Sequence, residues 1–351
     1  MRGAEIGSAK QIIRTGDVLL SRIVPHIRRA WIVGQHTSHR IIASGEWIVF
    51  RAAIADPRYL RHFLTSDGFH RQLMNTVAGV GGSLLRARPS QVAEIQVSLP
   101  ESSEQRRIAD ILDKADAIRR KRKEAIALTE ELLRSAFLER VGPAARDYPT
   151  WPVRTIESLA AKVPNAMRTG PFGSDLRHSE FVDDGIAVLG IDNAVQNRFA
   201  WGERRFITRE KYDDLRRYTV RPGDVIVTIM GTTGRSAVVP DDIPTAITTK
   251  HLATITLDRK QAEPEFVSQA LFRHPEVLQQ ITAANRGAIM SGLNLGLIKA
   301  LRIPVPPIER QREFARVTLR VRAVTARMTT DTATEDLFNT LVARAFSGKL
   351  S

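Results

Sequence analysis

The sequence predicts an α/β (α+β) chain, with two globular domains separated by two long antiparallel coiled-coil helices. Three observations predict it. First, the chain repeats itself. Gly16-Asp17-Val18-Leu19-Leu20 returns as Gly223-Asp224-Val225-Ile226-Val227, and Leu99-Pro100 before Glu104-Gln105-Arg106-Arg107 returns as Val305-Pro306 before Arg310-Gln311-Arg312. Ala136-Phe137 returns as Ala345-Phe346. The offsets of 207, 206 and 209 residues exceed the roughly 20–50 of a solenoid repeat, so a whole domain and its helix are duplicated. Second, residues 103–141 hold no Gly or Pro and consist mainly of good helix formers. Third, short β-branched stretches bounded by Gly, Pro and Ser alternate with helical periodicity on either side of that segment.

In chain order, the first domain spans residues 1–100. Residues 17–23, 29–33 and 46–51 read as strands, Pro57 opens a helix with Tyr59, Leu60, Phe63 and Leu64 on one face, 79–82 is a glycine loop, and 95–99 is a closing strand. The first long helix belongs to 101–142. Ile111, Ile118, Ala125 and Leu132 stand seven residues apart, and Ile108, Ala115, Arg122, Thr129 and Ala136 complete a 3-4 alternation, the pattern of a coiled-coil seam. About 38 helical residues would extend about 57 Å. Residues 143–150 form a linker. The second domain spans 151–307, with strands near 186–191, 224–230, 235–239 and 251–257, a helix from Pro264 to Ala284, a short helix at 294–301 and a strand at 302–305. Residues 308–351 hold the second long helix, with a seam of Val317, Val321, Val324, Met328, Asp331, Glu335, Phe338, Val342 and Ala345. Placing Ile108 opposite Ala345 makes paired indices sum to 453 and sets Arg122 opposite Asp331 and near Glu335. This charged layer is expected to fix the register, since another register would leave a charge against apolar neighbours. The alternative is that the side chains there reach water.

Composition narrows the function. The chain carries 52 basic and 38 acidic residues, a net charge of +14, and no cysteine. The charge favours a polyanionic partner, nucleic acid above all, because basic side chains that meet phosphates release condensed counterions. Residues 1–100 hold 13 basic and 6 acidic groups, half of the excess, and five of the eight histidines. Lack of cysteine excludes disulfides and thiolate metal sites and fits a cytoplasmic location. No apolar run approaches the ~20 residues of a membrane span, so no membrane partner is expected. The run Arg119-Arg120-Lys121-Arg122-Lys123 covers more than one helical turn and reads as a solvated surface.

The second domain carries an ordered set of motifs: Gly170-Pro171-Phe172-Gly173-Ser174, Phe181, Gly185-Ile186, Arg221-Pro222-Gly223-Asp224-Val225-Ile226-Val227-Thr228, Gly231, Gly234-Arg235, and Ile303-Pro304-Val305-Pro306-Pro307-Ile308-Glu309-Arg310-Gln311. With the ending Ala345-Phe346-Ser347-Gly348-Lys349-Leu350, the chain resembles the specificity subunits of type I restriction–modification systems along essentially its whole length. That resemblance implies two target-recognition domains that read a bipartite site in double-stranded DNA. It also implies docking of methyltransferase (modification) subunits, and of restriction/translocase subunits through the complex. S-adenosylmethionine and ATP would belong to those partners, and this chain would hold no cofactor.

Candidate DNA contacts follow from loop chemistry. The Gly170–Ser174 loop carries one aromatic ring among Arg168, Thr169, Ser174 and Arg177, donors suited to phosphate and base edges. Phe172 is read either as a groove contact or as an inward loop anchor. Arg235, Lys250, Arg286 and Asn294 add polar loop groups, and in the first domain Ser21, Arg22, Arg28, Arg29, His39 and Arg40 flank strands. They form a candidate set, not single determinants.

The two copies are unequal. Gly223 lies 72 positions after Trp151, whereas Gly16 lies 15 after Met1, so the first domain lacks some 57 residues of its counterpart. Exposed strand edges and apolar surface are expected there. A later start, a degenerate copy and completion by another polypeptide all remain open. Nucleotide-binding and zinc motifs are absent. Asp241 with Asp258-Arg259-Lys260 has the shape of a metal-dependent nuclease site, but each piece also reads as an ordinary polar turn. A non-catalytic DNA-binding subunit is therefore the expected function. The alternatives are a stand-alone nuclease or a DNA-binding protein outside restriction.

Overall fold

The computed structural model describes residues 7–35, 39–51, 54–79, 85–285, 292–329 and 333–350. Two compact units emerge. One comprises Met1–Ala125 with Met328–Ser351, the other Ile126–Arg327, so the division falls inside the long helices.

In the first unit, strands β1 (Lys10–Ile13), β2 (Val18–Ser21), β3 (Ala30–Ile32), β4 (Ile41–Ser44) and β5 (Trp47–Phe50) build two small antiparallel sheets, β3-β2-β5 and β1-β4. Helices α1 (Pro57–Thr65) and α2 (Asp67–Asn75) follow, then the short pair β6 (Val77–Ala78) and β7 (Arg86–Ala87) and the single turn α3 (Pro89–Val92). Asp56 caps α1 by accepting from the Arg58 and Tyr59 amides, and Pro57 occupies the first helical position. Val18, Leu20, Leu60, Phe63, Leu64, Phe69 and Leu73 form the core. The first long helix, α4 (Ser102–Val141), begins in this unit.

The second unit adds β8 (Val153–Thr155), α5 (Ile156–Leu159), β9 (Met167–Thr169), β10 (Ile186–Leu189), β11 (Phe206–Ile207) and α6 (Arg209–Leu215) ahead of the shared pattern. That pattern is β12 (Val225–Thr228), β13 (Ser236–Val238), β14 (Ala246–Thr248), β15 (Leu252–Ile255), α7 (Pro264–Arg273), α8 (Pro275–Asn285), α9 (Leu295–Ala300) and β16 (Arg302–Pro304). Its main sheet runs β13-β12-β15-β9, all antiparallel, and a second sheet runs β11-β10-β14 with β10 and β14 parallel. The final helical region comprises α10 (Ile308–Thr329) and α11 (Ala333–Phe346).

Matched hydrogen bonds make the duplication concrete. Gly16 and Gly223 both have positive φ (+90° and +78°), a region glycine enters without a Cβ clash. Each opens a turn in which Asp17 or Asp224 accepts the amide of the residue three before it, at 2.8 and 3.0 Å. Gln105 and Gln311 match as closely. Each accepts a backbone amide just before α1 or α7 (Asp56 N, 2.8 Å; Glu263 N, 2.9 Å). Each also donates to the proline carbonyl before its own long helix (Pro100 and Pro306, both 2.8 Å).

Several elements depart from the expectation. Residues 95–99 form no strand. Their counterpart, β16, pairs with β8, and among the described residues of the first unit no strand plays the part of β8. The helix expected over 264–284 is broken at His274, because Pro275 cannot continue it. β1, β9, β11 and β14 were not predicted, being two to four residues long without strong alternation. The seams are also displaced. Ile118 and Leu132 are exposed, whereas Ile108, Ala109, Leu112, Leu133, Ala136 and Phe137 are buried. Each end of α4 packs on residues of its own globular unit, so Ala109, Leu112, Leu133 and Phe137 are buried beside the expected seam positions Ile108 and Ala136, and the seam widens to a stripe.

Antiparallel pairing within each unit nonetheless follows the predicted register. Ile108 and Ala345 share a buried cluster in the first unit, and Thr325 Oγ1 lies 3.1 Å from Thr129 Oγ1 in the second. Arg122 donates from Nε to the Met328 carbonyl. Asp331 lies outside the described residues, as does the side chain of Glu335. Arg119 sits 4.4 Å over the Phe338 ring and pairs with Asp116, so the basic run is partly structural and not wholly solvated.

The described residues of the first unit carry exposed apolar side chains on its sheet. Ile12 and Ile42, cross-strand partners on β1 and β4, are 55% and 41% exposed, whereas β14 is wholly buried.

Candidate nucleic-acid interface

The strands of the second unit bring five loops to one edge. β9 ends at Thr169, β12 at Thr228, β10 at Leu189 and β14 at Thr248, while β13 and β15 begin at Ser236 and Leu252. The pairings Thr228↔Leu252, Val227↔Ser236 and Ala253↔Thr169 place these ends side by side. Loops 170–174, 190–193, 229–235, 249–251 and 292–294 therefore meet on one rim. Cross-links hold them in place: the Ile229 amide donates to His251 O (2.9 Å), the Leu293 amide to Ile229 O (3.0 Å) and the Thr249 amide to Leu189 O (2.8 Å).

Gly170 shows how tightly the aromatic loop is seated. A Cβ there would stand 2.3 Å from the carbonyl oxygens of Thr248 and Thr249, so only glycine lets the loop lie on the 249–251 turn. Beyond it Phe172 is 54% exposed, which decides between its two readings: the ring points to solvent and anchors nothing. Ser174 and Arg177 are exposed, and Thr169 is half-buried at the end of β9. Thr228 Oγ1 accepts the Arg235 amide at 3.0 Å, closing the 229–235 turn and leaving the Arg235 side chain exposed. Lys250 is exposed on the adjoining turn. Arg177, Arg235 and Lys250 make no side-chain ion pair among the described residues, so their charge is available to an anion. Beside Lys250, burial lowers the pKa of His251, and the neighbouring ammonium adds to that, so the ring is neutral near pH 7.

Three candidates do structural work. Arg168 is buried, donating to Asp224 Oδ2 (2.9 Å), Thr256 Oγ1 (3.2 Å) and the Asn165 carbonyl (3.0 Å), and its guanidinium is held away from this rim. Asn294 caps α9, its Oδ1 accepting the Leu297 amide at 2.8 Å. Ser21 is buried, donating to Ile23 O at 3.0 Å. Arg286 lies outside the described residues. In each case residue type alone pointed to binding, whereas the buried Asp or the helix terminus that claims the side chain is remote in sequence or follows the candidate directly.

The first unit has a corresponding rim, where β2 ends and β5 begins. Arg22 donates to Gly45 O (3.4 Å), Arg29 to Ile23 O (3.3 Å), and Arg28 pairs with Asp67 at 2.5 Å. Arg28, Arg29, His39 and Arg40 are exposed. Among the described residues of this unit no loop corresponds to 170–174 and no strand to β9 or β10.

Residues overlooked in the sequence also line the second rim. Trp201 is 42% exposed with Arg204 5.2 Å over its ring, and Met230 is 38% exposed beside the 231–234 turn. An aromatic next to arginines (Trp201, Arg204, Arg205) was the available signal. The nuclease-like pieces behave as turns: Asp258 accepts the Lys260 amide (3.0 Å) and Gln261 Nε2 (2.7 Å), and these bonds lower its pKa. Among the described residues no group of His, Asp and Glu is placed to hold a metal ion, and no helix is long and apolar enough to cross a membrane.

Comparison with known proteins fits this architecture. Residues 8–128 and 173–330 match the family model of the type I restriction modification DNA specificity domain. A curated relative, the type I restriction enzyme EcoBI specificity subunit of Escherichia coli, is 25% identical over 206 residues, covering 56% of this chain and 42% of that protein. The match thus spans about two fifths of that relative's length. Among solved structures, a chain from work on complex assembly and conformational transition of the type I R-M system aligns over 100% of this chain and 86% of its own, at 20% identity and a TM-score of 0.54. The S subunit of a type I restriction–modification system from M. genitalium aligns over 96% and 84%, at 12% identity and a TM-score of 0.60. At such identities the structural likeness speaks for the fold.

Proposed function

This chain belongs to the type I restriction modification DNA specificity family, and from that premise we propose that it is the non-catalytic subunit that reads DNA sequence in such a complex. The observation that carries the reading is the rim of the second unit, where exposed Phe172, Ser174, Arg177, Arg235 and Lys250 converge from separate loops. Arginine and lysine supply phosphate and guanine contacts, hydroxyls supply adaptable donors, and exposed rings contact bases or thymine methyls. Rigid strands fix the loop bases, so the loops vary in sequence without disturbing the sheet.

The proposed domains are 1–100 and 151–307 for recognition and 101–142 and 308–351 for the paired helices, with 143–150 as linker. The helices would dock methyltransferase subunits, and restriction/translocase subunits would join through the complex, in the cytoplasm. The first domain carries much of the positive charge, and no aromatic loop stands on its rim among the described residues, so its contribution would be backbone attraction more than base reading.

The test is binding of the full chain, with its methyltransferase, to duplex DNA selected from a random library. Lys250→Glu with Arg235→Glu should weaken selected DNA at least tenfold and flatten the salt dependence by about two units of slope, close to one per phosphate contact. Arg28→Glu with Arg29→Glu should reduce affinity equally for all sequences. If the rim variant binds the selected DNA as well as wild type, the proposed interface is wrong.

A further inference from the structure

We infer that the second domain carries a phosphate-binding cleft at the end of its main sheet opposite the reading rim. Here β9 and β12 begin and β15 ends, so Asn165, Arg221 and Thr256 come together at the sheet's other edge. Arg216 and Arg217 from the turn after α6 close the cleft, and buried Arg168 forms its floor. Four arginines line it and no carboxylate does.

The charges are not equivalent. Arg168 is spent on Asp224, and its side chain is nine-tenths buried, yet its Nε is buried without a hydrogen-bond partner. Arg216 pairs along one edge with Asp213 (2.9 Å), and Arg217 reaches Asp175 only at 3.4 Å while lying over the Tyr218 ring. Arg221 makes no side-chain hydrogen bond or ion pair among the described residues. Asn165 holds a positive φ of 56°, an infrequent conformation for a residue with a Cβ, and shapes the cleft wall. Converging guanidiniums over a neutral polar wall suit a phosphate group, whose oxygens take several N–H donors at once. The phosphate could belong to a nucleic-acid backbone or to a free nucleotide. The inference does not depend on the DNA reading, because inorganic pyrophosphate alone tests it.

The experiment is equilibrium dialysis of radiolabelled pyrophosphate against the full chain at low salt without divalent cations. Wild type should bind saturably, Arg217→Glu with Arg221→Glu should weaken binding at least tenfold, and Lys250→Glu on the opposite rim should change it less than twofold. Both arginines are surface groups, and an unchanged melting curve checks the fold of the double variant. No saturable uptake by wild type, or full uptake by the double variant, overturns the site. Displacement by duplex DNA identifies a nucleic-acid backbone as the source, and displacement by ATP without displacement by duplex identifies a free nucleotide. Displacement by neither overturns the proposal.

Discussion

The two domains solve one electrostatic problem with different parts. Both place an aspartate in the turn that opens the central strand, and both bring a guanidinium to it. In the second domain the donor is Arg168 on β9, at 2.9 Å and buried, and Thr256 adds a bond of 2.7 Å. Among the described residues of the first domain no strand corresponds to β9, and Arg51, just after β5, makes two bonds to Asp17 at 2.8 and 3.0 Å from a half-exposed position. The Arg51 hydrogen bond holds the Asp17 carboxyl below its ordinary pKa. A turn that commits a carboxylate to burial requires a cation, and the chain recruits one from whatever element borders the open edge. By contrast, the proline-glutamine junction before each long helix is identical in the two copies. Around the turn, the two copies differ in the element that supplies the guanidinium.

That contrast predicts unequal losses on removing the acid. Asp224→Ala strands a buried guanidinium and should cost the second domain about 3–5 kcal/mol. Asp17→Ala leaves Arg51 able to find water and should cost the first domain about 1–2 kcal/mol. Hydrogen exchange of the β12 and β2 amides measures the two separately. Equal losses would mean that the two salt bridges are energetically alike and the comparison fails.

The shared junction predicts equal losses. Gln105→Ala and Gln311→Ala each free one buried amide and two carbonyls, at about 1–3 kcal/mol. Urea unfolding should rank them within experimental error of one another, and a clear gap would show that the junctions have diverged.

The smallest expected effect is on acid sensitivity. His62 on α1 is buried, and burial lowers its pKa, opposed by its 2.8 Å contact with Asp113. Its folded pKa lies below the unfolded value of about 6.5, so the unfolded chain binds the extra proton and stability falls as pH drops below that value. The same helix position in the second domain is Gln269, which does not titrate. His62→Gln should therefore reduce the loss of stability in the first domain as pH falls below about 6.5. A melting curve as steep in pH as that of wild type would assign the acid sensitivity to another group.

Much of this molecule was legible in one dimension. A duplication at near-constant offset, a Gly-Pro-free segment and strand-length apolar runs each reflect local chemistry that a sequence carries openly, and they gave the fold class, the long helices and the index sum that pairs Ile108 with Ala345. The exposed charges of Arg235 and Lys250 were also readable as loop chemistry, whereas the outward ring of Phe172 was one of two readings the sequence left open. The sequence could not say which candidates were already claimed. Arg168 belongs to an aspartate 56 positions away, and Asn294 belongs to a helix terminus. The strand expected at 95–99 failed for the same kind of reason, because a strand exists only where a partner does, and among the described residues of the first unit none pairs with 95–99 as β8 pairs with β16. Local propensity and periodicity are properties of neighbours in the chain. Burial, ion pairing and strand pairing are properties of neighbours in space, and only the tertiary structure decided them.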